Sequence, residues 1–180
     1  MTYVLPQVSS SKHKRILGFD PGTKNMGISC VELRGNKCYV LANATMDNPL
    51  HDIKAFMTQR DAFLSEVQSW IELFNPQAIV AERFQTRGLK GPTIELVSMM
   101  LGILGMLGLP VLFVPAVVWK NKFQKRFCCD LREMYGQIST TPHQLDASLI
   151  ACYGLEIATK KQLSFTVEQI LQQVYLTSLK

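Results

Sequence analysis

Two kinds of hydrophobic pattern alternate along this chain: short apolar runs bounded by turn residues, and longer segments in which apolar residues recur every three or four positions. The short runs indicate β-strands, and the longer segments indicate helices. Gly35 and Asn36 form a hairpin-turn signal between the second and the third run. The predicted strands are residues 15–20, 26–33, 37–46, 77–82 and 111–114, and the predicted helices are residues 54–74, 93–107, 116–135, 142–158 and 167–179.

The order of these elements predicts an α/β fold with a five-stranded mixed sheet flanked by helices. Three strands joined by short turns form an antiparallel meander, whereas a strand that is reached through a helix pairs parallel with an earlier strand. A chain of 180 residues is long enough for one domain with its own core. We therefore expect a single domain over residues 15–180, preceded by a flexible lead over residues 1–14.

One segment has the length and the apolar character of a membrane span. Residues 96–118 contain no charged side chain and are numerous enough to cross a bilayer. However, Pro110 and Pro115 interrupt the segment, and three glycines weaken its first half as a helix. We therefore interpret it as a buried helix followed by a buried strand, and we expect no membrane-spanning helix.

The composition is that of a globular protein with a moderate positive charge. Hydrophobic residues make up 47% of the chain and charged residues 18%, which excludes an intrinsically disordered protein. The net charge of +5 is a weak indication of a polyanionic partner. The five cysteines form no Cys-x-x-Cys pair of the kind that binds zinc. Because their number is odd and the sequence has no secretory signal, we expect free thiols in a reducing, cytoplasmic setting. The sequence does not distinguish a viral, a bacterial and an organellar origin.

Two acidic residues stand at the ends of predicted strands. Asp20 closes the first strand, directly before the Pro21-Gly22 turn, and Glu82 closes the fourth. If these strands are parallel neighbours, both carboxylates emerge at the same edge of the sheet, where α/β proteins bind ligands. Taken singly, Asp20 is equally well explained as a turn-forming residue, and Glu82 as a solvated strand end.

A third acidic residue follows the start of the helix predicted at residues 142–158. The Thr-Pro-His-Gln sequence at residues 141–144 matches a helix N-terminus with a capping box, which places His143 in the first turn. Asp146 lies three residues further on, and therefore on the same helical face. We expect the helix to pack through its opposite face. The helix dipole alone would also explain an acidic residue at this position.

Together, the three acidic segments resemble the motifs of the RuvC family of Holliday-junction resolvases. Residues 18–27 (GFDPGTKNMG) are similar to the opening motif of that family, and residues 81–84 (AERF) resemble its second acidic motif. Residues 143–147 (HQLDA) resemble its third motif, in which a carboxylate or a histidine precedes the final aspartate by three residues. The resemblance covers residues 15–158 and implies a nuclease with an RNase H-like fold that resolves four-way DNA junctions.

The resemblance also implies which residues carry out the chemistry. Two divalent ions would stabilise the charge that builds up on the attacking and leaving oxygens of a phosphodiester. Asp20 would be shared by both ions and Glu82 would bind one of them. Asp146 would bind the other ion with His143, unless His143 orients or deprotonates the attacking water. Mg²⁺ is the expected cofactor, and Mn²⁺ should substitute because it accepts histidine. The predicted catalytic and metal-binding residues are Asp20, Glu82, His143 and Asp146.

Basic and aromatic residues on two segments are the predicted contacts to branched DNA. The first segment follows Glu82, and its Phe84 matches an aromatic residue that the family is thought to stack on a base at the opened centre of the junction. A core position would explain Phe84 equally well. The second is the basic helix predicted at residues 116–135, which replaces a glycine-rich basic stretch of the bacterial members. The predicted DNA-binding residues are Phe84, Arg87, Lys90, Lys120, Lys122, Lys125 and Arg126.

Symmetric cleavage of a four-way junction needs two active sites, so we expect a homodimer. The helix predicted at residues 93–107 carries more apolar residues than one contact with a sheet needs, and its glycines permit close packing of helices. Met99, Met100 and Ile103 are therefore the predicted interface residues. Burial of this helix inside the domain is the alternative.

Other functions fit parts of this pattern. Actin-like kinases use a similar Asp-x-Gly-x-Thr phosphate loop, but their architecture needs two such domains, and 180 residues leave no room for the second. A branched-DNA binding module without catalysis would have no need of a full set of carboxylates. A nuclease of the same fold that acts on other branched or single-stranded DNA stays open.

Overall fold

The computed structural model describes residues 14–22, 24–47, 56–83, 91–128, 130–131 and 142–178, and within them the chain forms five strands and five helices. The strands are β1 (Lys14–Asp20), β2 (Asn25–Arg34), β3 (Lys37–Asp47), β4 (Ala78–Arg83) and β5 (Val111–Pro115). The helices are α1 (Phe56–Phe74), α2 (Pro92–Leu104), α3 (Ala116–Phe127), α4 (Pro142–Thr159) and α5 (Val167–Ser178). α3 ends earlier than predicted, because Cys128 adopts a left-handed conformation with φ of 52°.

The five strands form one mixed sheet in the order β3-β2-β1-β4-β5. β1 pairs antiparallel with β2 and parallel with β4, and β4 pairs parallel with β5. The predicted α/β class and the mixed five-stranded sheet are thereby confirmed. β1 begins at Lys14, so the strand includes the last residue of the predicted lead. Residues 1–13 lie outside the described part of the chain.

Helices cover both faces of the sheet, and alternate residues of each strand point to opposite faces. Ile16 and Val80 belong to a core cluster with side chains of α3, α4 and α5, whereas Leu17 and Ile79 belong to a second cluster with side chains of α1 and α2. Burial on both faces explains why the parallel strand β4 is a continuous apolar run in the sequence.

α4 lies directly on β1 and β2 because glycines occupy the points of contact. A Cβ atom added at Gly18 would lie 2.0 Å from the carbonyl oxygen of Ala147. A Cβ atom added at Gly27 would lie 1.9 Å from the carbonyl oxygen of His143. Since no such atom is present, the helix backbone can approach the strands much more closely than side chains would permit. The first turn of α4 is therefore held against the sheet.

The depth of α4 corrects the expectation that this helix packs through one face only. Leu145, on the face opposite Asp146, is buried, but Asp146 is itself only 5% exposed and Ser148 is fully buried. The Ser148 hydroxyl lies 2.8 Å from Ser29 Oγ and 2.9 Å from the carbonyl oxygen of Gln144, so this polar side chain is hydrogen-bonded inside the protein. The expectation fails because the pattern of apolar residues does not reveal how closely the sheet approaches the helix.

α2 packs on the face of the sheet that α1 also covers. Met100 and Ile103, two of the predicted interface residues, are 1% and 6% exposed and belong to the core of the chain itself. Met99 is 37% exposed. The alternative of burial inside the domain therefore holds for Met100 and Ile103. In the part of the chain that the structure describes, no helix is both long enough and apolar enough to cross a membrane.

α5 covers the outer edge of β3, the first strand in the sheet order. The backbone amide of Val40 donates to Gln173 Oε1 at 2.8 Å, and Asn43 Nδ2 donates to the carbonyl of Val174 at 3.1 Å. Val174 also belongs to the core cluster on this face of the sheet. Polar and apolar contacts thus attach the last described helix to the sheet edge opposite β5.

Candidate active site

β1 and β4 bring two of the predicted site residues to the same edge of the sheet. The two strands are parallel neighbours with Phe19 beside Ala81, so Asp20 and Glu82 follow at the same level. Asp20 is only 8% exposed, and Glu82 is partly buried. The predicted meeting of the two strand ends is confirmed.

The first turn of α4 places His143 against Asp20. The imidazole Nδ1 of His143 lies 2.6 Å from Asp20 Oδ2. This hydrogen bond raises the pKa of His143 because the carboxylate stabilises the protonated ring, while partial burial of the ring opposes the shift. α4 can reach this position because Gly27 has no side chain at the point where the His143 carbonyl lies.

Asp146 is buried on α4 and is paired with Lys120 of α3. Lys120 Nζ lies 2.8 Å from Asp146 Oδ2. Burial alone would lower the pKa of Lys120, but the carboxylates of Asp146, Glu82 and Asp20 raise it. Lys120 is predicted from the sequence as a contact to DNA phosphates, and the structure places its ammonium group among the carboxylates.

Glu82 accepts a hydrogen bond from a residue that the sequence analysis does not single out. The indole Nε1 of Trp119 donates to Glu82 Oε2 at 3.0 Å. Burial raises the pKa of Glu82 to about 7, and Asp20 and Asp146 strengthen this effect, whereas Lys120 and Trp119 oppose it. In the sequence, a tryptophan near the start of a helix indicates only core packing. The fold is needed to show that its polar edge faces this site.

The residue types at the site suit a divalent cation, but Asp20 is hydrogen-bonded to His143, and Asp146 is paired with Lys120. Carboxylate groups are ligands that Mg²⁺ and Mn²⁺ both accept, and Mn²⁺ also accepts imidazole. The raised pKa of Glu82 reflects in part its carboxylate neighbours, a crowding of negative charge that a cation would relieve. Among the described residues, no group of three or more histidine, cysteine, aspartate or glutamate side chains is arranged to hold a metal ion. Asp20 and Asp146 would first have to release His143 and Lys120.

Glu82→Gln should stabilise the metal-free protein at about pH 8 and have little effect at about pH 5. Because the pKa of Glu82 is raised from 4.5 to about 7, the folded protein binds this proton more tightly than the unfolded chain does. The resulting stability is present below the unfolded pKa and is lost as the pH rises through the folded pKa. A neutral amide removes this loss. At about 1.4 kcal/mol for each pKa unit, we expect a gain of about 3 kcal/mol in the free energy of unfolding at pH 8.

Urea unfolding in the presence of a chelator at both pH values measures this effect. The same substitution at Glu66, an exposed residue of α1, is the matched control and should show no comparable dependence on pH. A gain of equal size at both pH values would mean that the charge of Glu82 does not destabilise the folded protein.

The predicted DNA-binding residues of α3 differ in their contacts. Lys122 Nζ and Arg126 Nη1 lie 2.6 Å and 2.5 Å from the two carboxylate oxygens of the buried Glu156. Arg126 also donates to the carbonyl of Leu163, and its side chain is only 16% exposed. Arg126 therefore ties α3 to α4 in place of the phosphate contact expected from the sequence, whereas Lys125 is exposed. The other predicted contacts lie outside the described residues: Phe84, Arg87 and Lys90.

Comparison with models of known protein families and with curated protein sequences gives no match. Solved structures do match. RuvC of Thermus thermophilus in complex with a Holliday junction substrate has a TM-score of 0.59 and 20% sequence identity, over 76% of this chain and 90% of that chain. The yeast mitochondrial Holliday junction resolvase has a TM-score of 0.56 and 15% identity, over 97% of this chain and 78% of that chain. The chain has an RNase H-like fold.

The RNase H-like fold predicted from the resemblance is thereby confirmed, and it gathers the predicted site residues from three separate elements. β1, β4 and α4 each contribute to one end of the sheet, and the neighbouring helix α3 adds a cation and an indole N–H group to them. Carboxylate, imidazole and ammonium groups therefore lie together at this end of the sheet, with Lys120 paired to Asp146 and His143 hydrogen-bonded to Asp20. The residues gathered there are Asp20, Glu82, Trp119, Lys120, His143 and Asp146.

Proposed function

We propose that this protein is a divergent RuvC-like resolvase that cleaves four-way DNA junctions by metal-dependent hydrolysis of phosphodiester bonds. The observation that carries the proposal is the meeting of Asp20, Glu82, His143 and Asp146 at one end of an RNase H-like sheet. The fold is shared with enzymes that act on Holliday junctions, and the positive net charge suits a nucleic-acid partner.

Asp20 and Glu82 would hold one divalent ion, and Asp20 with Asp146 and His143 would hold the second. Bound there, Mg²⁺ or Mn²⁺ stabilises negative charge on the attacking and leaving oxygens and lowers the pKa of an attacking water. The protein supplies rigid placement, because two of the carboxylates close strands of a buried sheet and the third lies on a helix held against it. His143 would bind the metal ion, or orient or deprotonate the water, at its place beside Asp20.

Among the basic residues that the structure describes, Lys120 is the one best placed to meet the phosphate that is cut. Its ammonium group lies at the carboxylate cluster and pairs with Asp146. A scissile phosphate bound at the cluster would therefore lie close to a positive charge on α3, and Lys125, exposed on the same helix, would extend this contact to other phosphates. Such contacts place the DNA without reading its sequence.

In magnesium, the protein should cleave a synthetic four-way junction and leave the matched linear duplexes intact. The placement of the carboxylates motivates the expected metal dependence, and the fold motivates the choice of substrate. Denaturing gels of junctions labelled on each strand give the cut positions, and symmetric nicks in two opposite strands are expected. A chelator should abolish cleavage. Cleavage of duplex and junction at equal rates would contradict a resolvase.

A catalytically silent branched-DNA binding protein is the second candidate. The pairing of Asp146 with Lys120 favours it, since an internal cation already neutralises one of the carboxylates. Gel-shift binding of the junction with no cleavage in magnesium or manganese would support this function and exclude the nuclease. Cleavage of flaps or single strands in preference to junctions would instead indicate another nuclease of this fold.

The resolvase proposal includes a homodimer, and a groove between α1 and α2 is the surface that supports it. The groove has a volume of about 460 Å³, and its lining is mostly apolar. Met106, which lines the groove, is 84% exposed. Met99 is also partly exposed on α2. The residues that line the groove are Arg60, Leu64, Gln68, Ile103, Met106 and Leu107.

Met106→Glu should convert the dimer into a monomer, because a charge would be buried where apolar surfaces meet. Sedimentation at micromolar concentration measures the change, and a dissociation constant raised about tenfold or more is expected. Leu73→Glu, at an exposed position of α1 outside the groove lining, is the matched control and should leave the dimer intact. A wild-type chain that is monomeric and still cuts both strands in concert would contradict the dimer.

A further inference from the structure

Trp119 combines complete burial with a polar contact at the edge of the candidate active site. β5 pairs with β4 so that Val114 lies beside Glu82, and α3 begins directly after β5. The first turn of α3 therefore stands next to Glu82. In this turn the Trp119 ring is 0% exposed, and its Nε1 lies 3.0 Å from Glu82 Oε2.

The indole is a rigid donor because its ring is held by packing. The Phe123 ring contacts it edge-on with 6.4 Å between centroids, and both rings belong to the core cluster on this face of the sheet. An indole N–H can only donate, and a buried donor without a partner is costly. The hydrogen bond to Glu82 satisfies this group, so the position of the ring and the orientation of the carboxylate are linked.

The same ring also contacts the cation that pairs with Asp146. Lys120 Nζ lies 4.9 Å from the centroid of the Trp119 ring and 2.8 Å from Asp146 Oδ2. The N–H edge of Trp119 thus contacts Glu82, and the face of its ring contacts Lys120, the partner of Asp146. A phenylalanine would fill most of the same space, but it would lack the N–H group that Glu82 accepts.

We propose that Trp119 is a positioning residue, whose indole N–H fixes the orientation of the Glu82 carboxylate in readiness for a divalent cation. Hydrogen bonds that hold a metal-binding side chain commonly account for about a tenfold to hundredfold effect on metal affinity. With Oε2 engaged by the indole, Oε1 stays available to a cation. The part that concerns the cation rests on the proposed function, whereas the fixed carboxylate is a property of the metal-free protein.

The first experiment tests the hydrogen bond without any metal. The chain has two tryptophans, so a protein labelled with ¹⁵N gives two indole N–H signals, and Trp70→Phe identifies the one from Trp119. We expect Trp119 to give a downfield proton that exchanges slowly with water. Glu82→Ala should move this signal and speed its exchange. An unchanged Trp119 signal in Glu82→Ala would overturn the proposal, and this arm keeps Trp119 in place.

The second experiment measures binding of Ca²⁺ and Mn²⁺ by calorimetry on the full chain. Trp119→Phe should weaken binding about tenfold to hundredfold, and Trp70→Phe, the same substitution on α1, should leave it unchanged. If Trp119 acts through Glu82, adding Trp119→Phe to Glu82→Gln should cost no further affinity. The positioning role would be overturned if Trp119→Phe bound the cations as tightly as wild type does. It would also be overturned if Trp119→Phe lowered the affinity equally in the wild-type protein and in Glu82→Gln.

The two arms separate failure of this proposal from failure of the proposed function. A wild-type chain that binds neither cation and cuts no DNA would refute metal-dependent cleavage, and the indole signal would still decide whether Trp119 fixes Glu82. A wild-type chain that binds metal and cuts junctions, with Trp119→Phe unaffected in affinity, would refute the positioning role alone.

Discussion

Asp20→Asn should lower junction cleavage by several orders of magnitude while junction binding persists or becomes tighter. Asp20 is the carboxylate at the centre of the site, because it closes β1 and contacts His143. It also lies close enough to Glu82 to raise the pKa of Glu82. An amide of the same shape has no negative charge for a divalent cation. Removing the charge also lessens the repulsion of DNA phosphates.

Single-turnover cleavage of a labelled junction, beside a gel shift in calcium, separates these two effects. Calcium accepts the same oxygen ligands with looser geometry, so it should support binding without cleavage. Asp61→Asn is the matched control, since this aspartate of α1 is exposed and pairs with the neighbouring Arg60. Glu82→Gln and Asp146→Asn should behave like Asp20→Asn. Substantial cleavage by folded Asp20→Asn would falsify the assignment of the metal site.

Gly18→Ala should destabilise the protein by about 3 kcal/mol, the upper end of the range for overpacking of a core. The added Cβ atom would lie 2.0 Å from the carbonyl oxygen of Ala147 and 2.9 Å from the backbone nitrogen of Ala151. Both are backbone atoms of a buried helix, so no side-chain rotation can relieve the contact. α4 would have to move away from β1, and Asp146 would move with it.

The midpoint of urea unfolding measures this loss, and Gly102→Ala is the control. Gly102 lies in α2, and a Cβ atom added there would have no atom within 4 Å apart from its chain neighbours and the backbone of its own helix. Alanine should therefore stabilise α2 by about 0.5–1 kcal/mol through its better helix propensity. Equal stability of Gly18→Ala and wild type would mean that α4 is not pressed against β1 as described.

The sequence predicted the strands well because the apolar runs are bounded by unambiguous turn residues. The parallel pairing of β1 and β4 also followed from the order of the elements, and with it the meeting of Asp20 and Glu82. What periodicity could not predict is how deeply α4 is buried. That depth depends on Gly18 and Gly27, whose role as contact points is visible only when the helix and the strands are seen together.

The partners of the basic residues on α3 were the least predictable part of the site. Lys120 and Arg126 were predicted from the sequence to bind DNA phosphates, yet each is paired with a carboxylate of α4 in the folded protein. The sequence holds one indication of these pairings. Glu156 is a single acidic residue in an otherwise apolar stretch of helix, and a buried carboxylate there needs a cationic partner. The orientation of the Trp119 indole could not be predicted from the sequence, because it depends on packing between β5, α3 and the core.

The attachment of α5 to β3 determines how the protein can be shortened. An edge strand presents backbone groups that a strand of another molecule can pair with, and β3 is 11 residues long. The opposite edge, β5, has only five residues and ends at Pro115, which makes it a poor template. A version that stops before Val167 would keep both strand-end carboxylates but leave β3 uncovered on its outer side. We expect such a truncated chain to assemble through strand addition into fibrils or intertwined oligomers, so expression boundaries should be placed beyond Ser178.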